Sequence, residues 1–200
     1  MFNFFETDDH PERVILTDDP LRVRMLAAHH LDNAGSAREQ GDAVVYIGSY
    51  GQTAIALVAV GLENGAVSEF IRGAGGSGIT EVVYIGSCAG TTEKQALRTV
   101  VLADGGCREL LESAQKAAVR HGIPVVVGVV SPKNDIAQEF EGITDEVTNS
   151  FYKEAHTCGV KALSVLTVSE NTMTGEKMEE HERRSRFYPA ALLVFETLNH

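Results

Sequence analysis

The sequence predicts a single α/β domain over residues 1–200, with a mixed, mostly parallel central sheet of about six to eight strands flanked by helices. Three observations carry this expectation. Runs of β-branched residues such as TEVVYIGS (80–87) and KALSVLTVS (161–169) lack clean polar alternation, as strands covered on both faces do. Amphipathic stretches such as CRELLESAQKAAVRHG lie between them. At 200 residues the chain suffices for one full core and is short for two.

Taken in order, RVILT (13–17) reads as a short buried strand, and DDPLRVRMLAAHHL after it as a helix with an Asp cap and Pro in its first turn. AVVYIGSY (43–50) and TAIALVAV (53–60), separated by Gly-Gln, form a hairpin. NGAVSEFIRGAG is a helix stopped by glycines; TEVVYIGS, TVVLA (99–103), PVVVGVV (124–130) and KALSVLTVS are buried strands. CRELLESAQKAAVRHG ends at the stop signal Gly122, NSFYKEAHTCG is a further helix, and the C-terminal helical stretch is interrupted or kinked at Pro189.

Composition narrows the function classes. With 28 Asp plus Glu against 17 Lys plus Arg, the net charge of -11 lacks the basic footprint of a nucleic-acid binder. An acidic body still accommodates a small anion where arginines or helix amides set the local potential. Cys88, Cys107 and Cys158 form no C-x-x-C pair, so neither a disulfide framework nor a zinc site is expected, and no metal is assigned. MFNFFETDDHPER has acids where a signal peptide is basic, and no apolar run reaches the roughly 18 residues of a membrane span; the expectation is a cytoplasmic protein without a membrane partner.

Several motifs read as structure. GAGGSG holds G-x-G-x-x-G at Gly73, Gly75 and Gly78, but it follows a helix and precedes a strand, the reverse of a dinucleotide fingerprint. Adjacent His29 and His30 lack the i, i+4 spacing of a metal pair. Glu179/Arg183, Glu180/Arg184 and Glu182/Arg186 have the favourable i, i+4 orientation of a solvated helix face.

Others read as chemistry. In TDDPLR, Arg22 sits in the first helical turn, where a cation is unfavourable against the helix dipole; it either awaits an anion or pairs with Asp18 or Asp19. YIGSCAG ends a strand in small residues, so the amides from Gly86 onward and the Ser87 hydroxyl can approach an oxyanion, or simply form a turn. LTVSEN places the carboxylate of Glu170 at the C-terminal tip of a strand, where open α/β sheets keep their ligands.

Together and in order, VILTDDPLR, VVYIGSCAG, GVKALSVLTVSEN and HERRSRF resemble the nucleoside phosphorylase superfamily, most nearly its hexameric purine nucleoside phosphorylases. The resemblance covers most of the chain. It implies cleavage of the N-glycosidic bond of a purine-type nucleoside, with Glu170 as the acid at the base and Arg183 supporting it. A carboxylic acid in that role needs its protonated form favoured by partial burial. It implies a phosphate or nucleophile site at Arg22, Ser87 and Gly86, and a ribose carboxylate near Val147, where Asp145 and Glu146 are the candidates.

This chain departs from the pattern at two phosphate positions: Asp18 replaces a glycine and Tyr84 replaces an arginine. It is also shorter between Val101 and Glu112 and around SPKND. Phosphorolysis with phosphate as co-substrate therefore stands beside hydrolysis, with Asp18 or Asp19 as base, and beside a nucleoside-binding or scaffold protein without turnover. No further cofactor is implied. The resemblance implies a homo-oligomer, dimer or hexamer, in which a neighbour's His10 or Arg38 completes the site.

Overall fold

The structure is a computed structural model describing residues 10–35, 38–61, 63, 65–132, 142–185 and 187–200, and only the backbone of residues 40 and 183–185. The elements, in chain order, are β1 (Arg13–Thr17), α1 (Pro20–His30), β2 (Arg38–Gln40), β3 (Ala43–Tyr50), β4 (Thr53–Ala59), α2 (Ala66–Ala74), β5 (Glu81–Gly90), β6 (Val100–Ala103), α3 (Arg108–His121), β7 (Val125–Gly128), β8 (Val130–Pro132), β9 (Ile143–Asp145), α4 (Thr148–Cys158), β10 (Lys161–Asn171), α5 (Glu180–Ser185) and α6 (Tyr188–Leu198). The expected α/β class with a mixed sheet between helices is what forms. No helix among the described residues is long and apolar enough to cross a membrane.

Among the described residues, ten strands share one sheet, more than the six to eight read from the sequence, in the order β2-β3-β4-β1-β5-β10-β6-β7, with β9 added to the end of β5 and β8 to β9. The extra strands are β2, β8 and β9, three residues each, too short to show a periodicity. The centre β4-β1-β5-β10 is parallel, whereas β6 runs antiparallel to β10 and β3 antiparallel to β4.

Central strands are apolar on both faces because both faces are covered. Val14, Leu16, Val82 and Tyr84 pack with α2 and α4 on one side. Their neighbours Ile15, Val83 and Ile85 pack with α1, α3 and α6 on the other. Leu163, Val165, Leu166 and Val168 of β10 are fully buried, each contributing about 1.5–3 kcal/mol over exposure.

PVVVGVV departs from expectation. Its first part, β7, is a sheet-edge strand with Val126 and Val127 exposed, and the run breaks before β8 turns away to pair with β9. An apolar run marks a strand but not its cover.

Helix boundaries follow local chemistry. Asp19 caps α1 by accepting from the Leu21 N–H at 2.9 Å, with Pro20 in the first turn. Gly122 and Gly159 end α3 and α4 in the left-handed region. Pro189 starts α6 rather than kinking a continuous helix: it lies in the first turn, where its missing N–H costs nothing, and α5 has already ended at Ser185. GAGGSG is the end of α2 and its loop to β5, as its order predicts.

Candidate active site

Because β1, β5 and β10 are parallel, their C-terminal tips lie along one edge of the sheet, where the chain leaves each strand for a turn. A cleft of about 270 Å³ opens there, lined by Asp18, Gly61, Glu63, Gly65, Val67, Ser68, Tyr84, Ser87, Cys88, Asp145, Glu146, Val147, Ser150, Ser169 and Glu170. Asp18, Ser87, Asp145, Glu146 and Glu170, five of the residues singled out in the sequence, thus meet in one place.

Glu170 owes its direction to a β-bulge. β10 pairs residue for residue with β5 up to Val168 opposite Cys88, and then Glu170, not Ser169, faces Ala89. Strict alternation would send successive side chains to opposite faces; the bulge lets both Ser169 and Glu170 line the cleft. The Glu170 side chain is 22% exposed and accepts an ion pair from Lys177 Nζ at 3.3 Å.

Lys177 is placed by the turn that follows. Asn171, 1% exposed, accepts from the N–H groups of Met173 and Thr174 and donates to the carbonyls of Thr92 and Gln95. The returning arm then pairs antiparallel at Glu170 and Lys177.

Arg22 is 7% exposed and does not line the cleft. Its Nη1 donates to Thr17 Oγ1 at 2.9 Å, the Ile85 carbonyl at 3.1 Å and Asp18 Oδ1 at 3.4 Å, and its guanidinium lies 4.3 Å over the Phe187 ring. Of the two readings of TDDPLR, the pairing with Asp18 is the arrangement present. Asp19 caps α1 and lies outside the cleft lining.

Tyr84 fills the remaining space. Its ring lies over Gly86, where an added Cβ would sit 2.7 Å from the phenol oxygen and 2.8 Å from Cζ. Gly86 is therefore a glycine that admits an aromatic side chain, and it is not in the cleft lining. Burial pushes the phenol well above its usual value; the Asp18 carboxylate adds to this and the Arg22 guanidinium opposes it. Asp18 thus lies on the Arg22 guanidinium, with the neutral phenol of Tyr84 beside it.

Asp145 has a structural task as well. Oδ1 accepts from the N–H groups of Val147 and Thr148 at 3.1 and 2.9 Å, and Oδ2 from the Thr148 hydroxyl at 2.6 Å, closing the N-terminus of α4. Burial raises its pKa; the Thr148 and Val147 hydrogen bonds oppose that and the Asp18 carboxylate adds to it. Glu146 beside it is exposed at the rim.

The Arg183 backbone lies in α5, but its side chain is outside the described residues, as are those of Arg184 and Arg186 in the expected ion pairs. Glu182 accepts from Arg98, whose Nε donates at 2.9 Å. His10 lies beside Gly78, at the opposite end of β5 from the cleft, and Arg38 is exposed on β2.

Among the described lining residues are five carboxylates, Asp18, Glu63, Asp145, Glu146 and Glu170, and no cationic side chain. The N-terminal ends of α2 (Val67, Ser68) and α4 (its cap residue Val147, and Ser150) supply partial positive charge, about half a unit per helix at most, and Asp145 already takes the Val147 and Thr148 amides at α4. Glu63, Ser68 and Ser169 were not singled out in the sequence; of these only Ser169, adjoining the acid in LTVSEN, carried a local signal.

No family model matches the chain. Among curated proteins it is 28% identical to the purine nucleoside phosphorylase DeoD-type of Shewanella oneidensis, covering 94% of each. It is 26% identical to that of Bacillus subtilis, covering 88% of this chain and 89% of the relative. With that of Aliivibrio salmonicida the identity is 24%, covering 96% and 95%. The Shewanella alignment runs over 224 residues against a chain of 200, so the relative carries segments absent here. Over nearly its whole length, the chain is thus similar to purine nucleoside phosphorylases of the DeoD type.

Proposed function

We propose that the protein cleaves the N-glycosidic bond of a purine-type nucleoside in this cleft, with Glu170 as the acid at the base and water as the nucleophile. The carrying observation is the bulge that turns Glu170, partly buried, into a cavity at the tips of the parallel strands. The similarity to proteins named purine nucleoside phosphorylase supports the bond that is cleaved.

In the proposed step, Glu170 donates its proton to a purine ring nitrogen as the bond from that base to C1′ breaks and its electron pair passes to the base. The water oxygen bonds to C1′ and gives its proton to Asp18. Carboxylates around the sugar stabilise the positive charge that develops on it.

Water is favoured over phosphate by the internal occupancy of the anion site. Asp18 already occupies Arg22, the Tyr84 ring lies over Gly86, and the described lining is acidic. A phosphate there would meet like charge and lose a charge-assisted bond, on the order of 1.5–3 kcal/mol. Ser87 remains in the lining as a group that can hold the attacking water. The reading includes the homo-oligomer that the resemblance implies, in which His10, at the far end of β5 from its own chain's cleft, would serve a neighbour's.

A second reading, nucleoside binding without turnover, is favoured by the ion pair that already holds Glu170 to Lys177. Incubating the protein with a panel of purine nucleosides, with and without phosphate, and assaying free base tests both. Free base with free pentose supports hydrolysis, and Glu170→Gln lowers the rate by about 10²–10⁴-fold. Base release dependent on phosphate refutes the water reading. Binding without release leaves the second one.

A further inference from the structure

We infer that Lys177 is a positioning residue that sets the ionisation and direction of Glu170, and so the pH range in which the acid works; this rests on Glu170 being the acid of the proposed reaction. Two independent features place it there. Nζ lies 3.3 Å from Glu170 Oε2, and the backbones of the two residues form an antiparallel bridge, so the pairing is fixed by register. The bridge is pinned in turn by the four hydrogen bonds of buried Asn171.

The groups around Glu170 give the cation its importance. Asp18, Glu63, Asp145 and Glu146 line the same cleft, with the Tyr84 phenol and the Cys88 thiol from β5. The carboxylates all disfavour a charged Glu170, whereas Lys177 favours it. Glu176 precedes Lys177 on the returning arm, and its carboxylate accepts from the Thr174 hydroxyl at 3.1 Å. On α5, Glu180, His181 and Glu182 follow, the last held by Arg98.

The consequence has a definite sign. An acid that must be protonated loses activity as pH rises through its own titration, and a neighbouring ammonium brings that loss to lower pH. Removing the ammonium moves the alkaline limb of the rate profile upward by about one pH unit, the effect of a unit charge at this distance in water-like surroundings. Lys177 is 73% exposed, so its replacement removes charge and not core packing.

The test compares the wild type with Lys177→Met, Lys177→Arg and Lys177→Glu. Two quantities are measured: the pH dependence of kcat/KM for purine release, and the titration of the Glu170 carboxyl by carbon NMR, assigned through Glu170→Gln. The expected order of midpoints is Lys177→Glu above Lys177→Met above wild type, with Lys177→Arg restoring the wild-type value. An unchanged Glu170 titration in Lys177→Met and Lys177→Glu overturns the inference. If the wild type releases no base, the proposed function fails, and the NMR titration alone still decides whether Lys177 governs Glu170.

Discussion

Replacing Gly86 by alanine tests the occupation of the strand turn by Tyr84. The new Cβ would lie 2.7 Å from the phenol oxygen and 2.8 Å from Cζ, with Cε1 closer still. These atoms belong to a rigid ring on a residue only 2% exposed, which cannot swing aside as the end of a flexible chain can. Overpacking costs typically 1–3 kcal/mol, and contact with several ring atoms puts this case near ~3 kcal/mol. For a chain of this length that is a fall in Tm of roughly 6–12 °C. Tyr84→Leu removes all three atoms, so Gly86→Ala in that background should cost under about 1 kcal/mol, a coupling of about 2 kcal/mol. Urea unfolding of the four proteins in the cycle measures it. Equal costs of Gly86→Ala in both backgrounds would refute the close packing of the Tyr84 ring on Gly86 from which the proposed exclusion of phosphate is argued.

Two further perturbations test the supports of the site. Burial raises the Asp145 pKa, so the folded state holds that proton more tightly than the unfolded chain, and this group's contribution to stability is lost as pH rises above its ordinary value of 3.8. Asp145→Asn should flatten that part of the stability profile, read as urea midpoints between pH 4 and 7; an unchanged slope contradicts it. Asn171→Ala removes the side chain that closes the turn behind Glu170 and leaves the Thr92 and Gln95 carbonyls without its donors. A loss of about 3 kcal/mol is expected, with faster amide exchange at Met173 and Thr174; a stability within 0.5 kcal/mol of wild type, on the order of an ordinary surface change, contradicts it.

Much of this was legible in the sequence because it is local. Asp19-Pro20 starts α1, Gly122 and Gly159 end helices, and the β-branched runs mark the strands. Strand direction and cover are set by partners far away, so neither the antiparallel β6 nor the exposed face of β7 could be read from TVVLA or PVVVGVV. At the site, the carboxylate in LTVSEN announced itself by its place at a strand end. Its rotation into the cleft comes from a register slip against β5, which one strand's own sequence does not contain. Likewise, TDDPLR left Arg22 open between an anion and its own aspartate. Thr17, the Ile85 carbonyl and Phe187, brought in by folding, fix it against Asp18.

The central claim is that Glu170 acts here as an acid on a nucleoside whose sugar is then captured by water. It is tested most directly by identifying the sugar product formed from a purine nucleoside across a phosphate titration. The account predicts free pentose at a rate that phosphate does not raise, lost in Glu170→Gln. A pentose 1-phosphate, formed at a rate that climbs with phosphate, would contradict it.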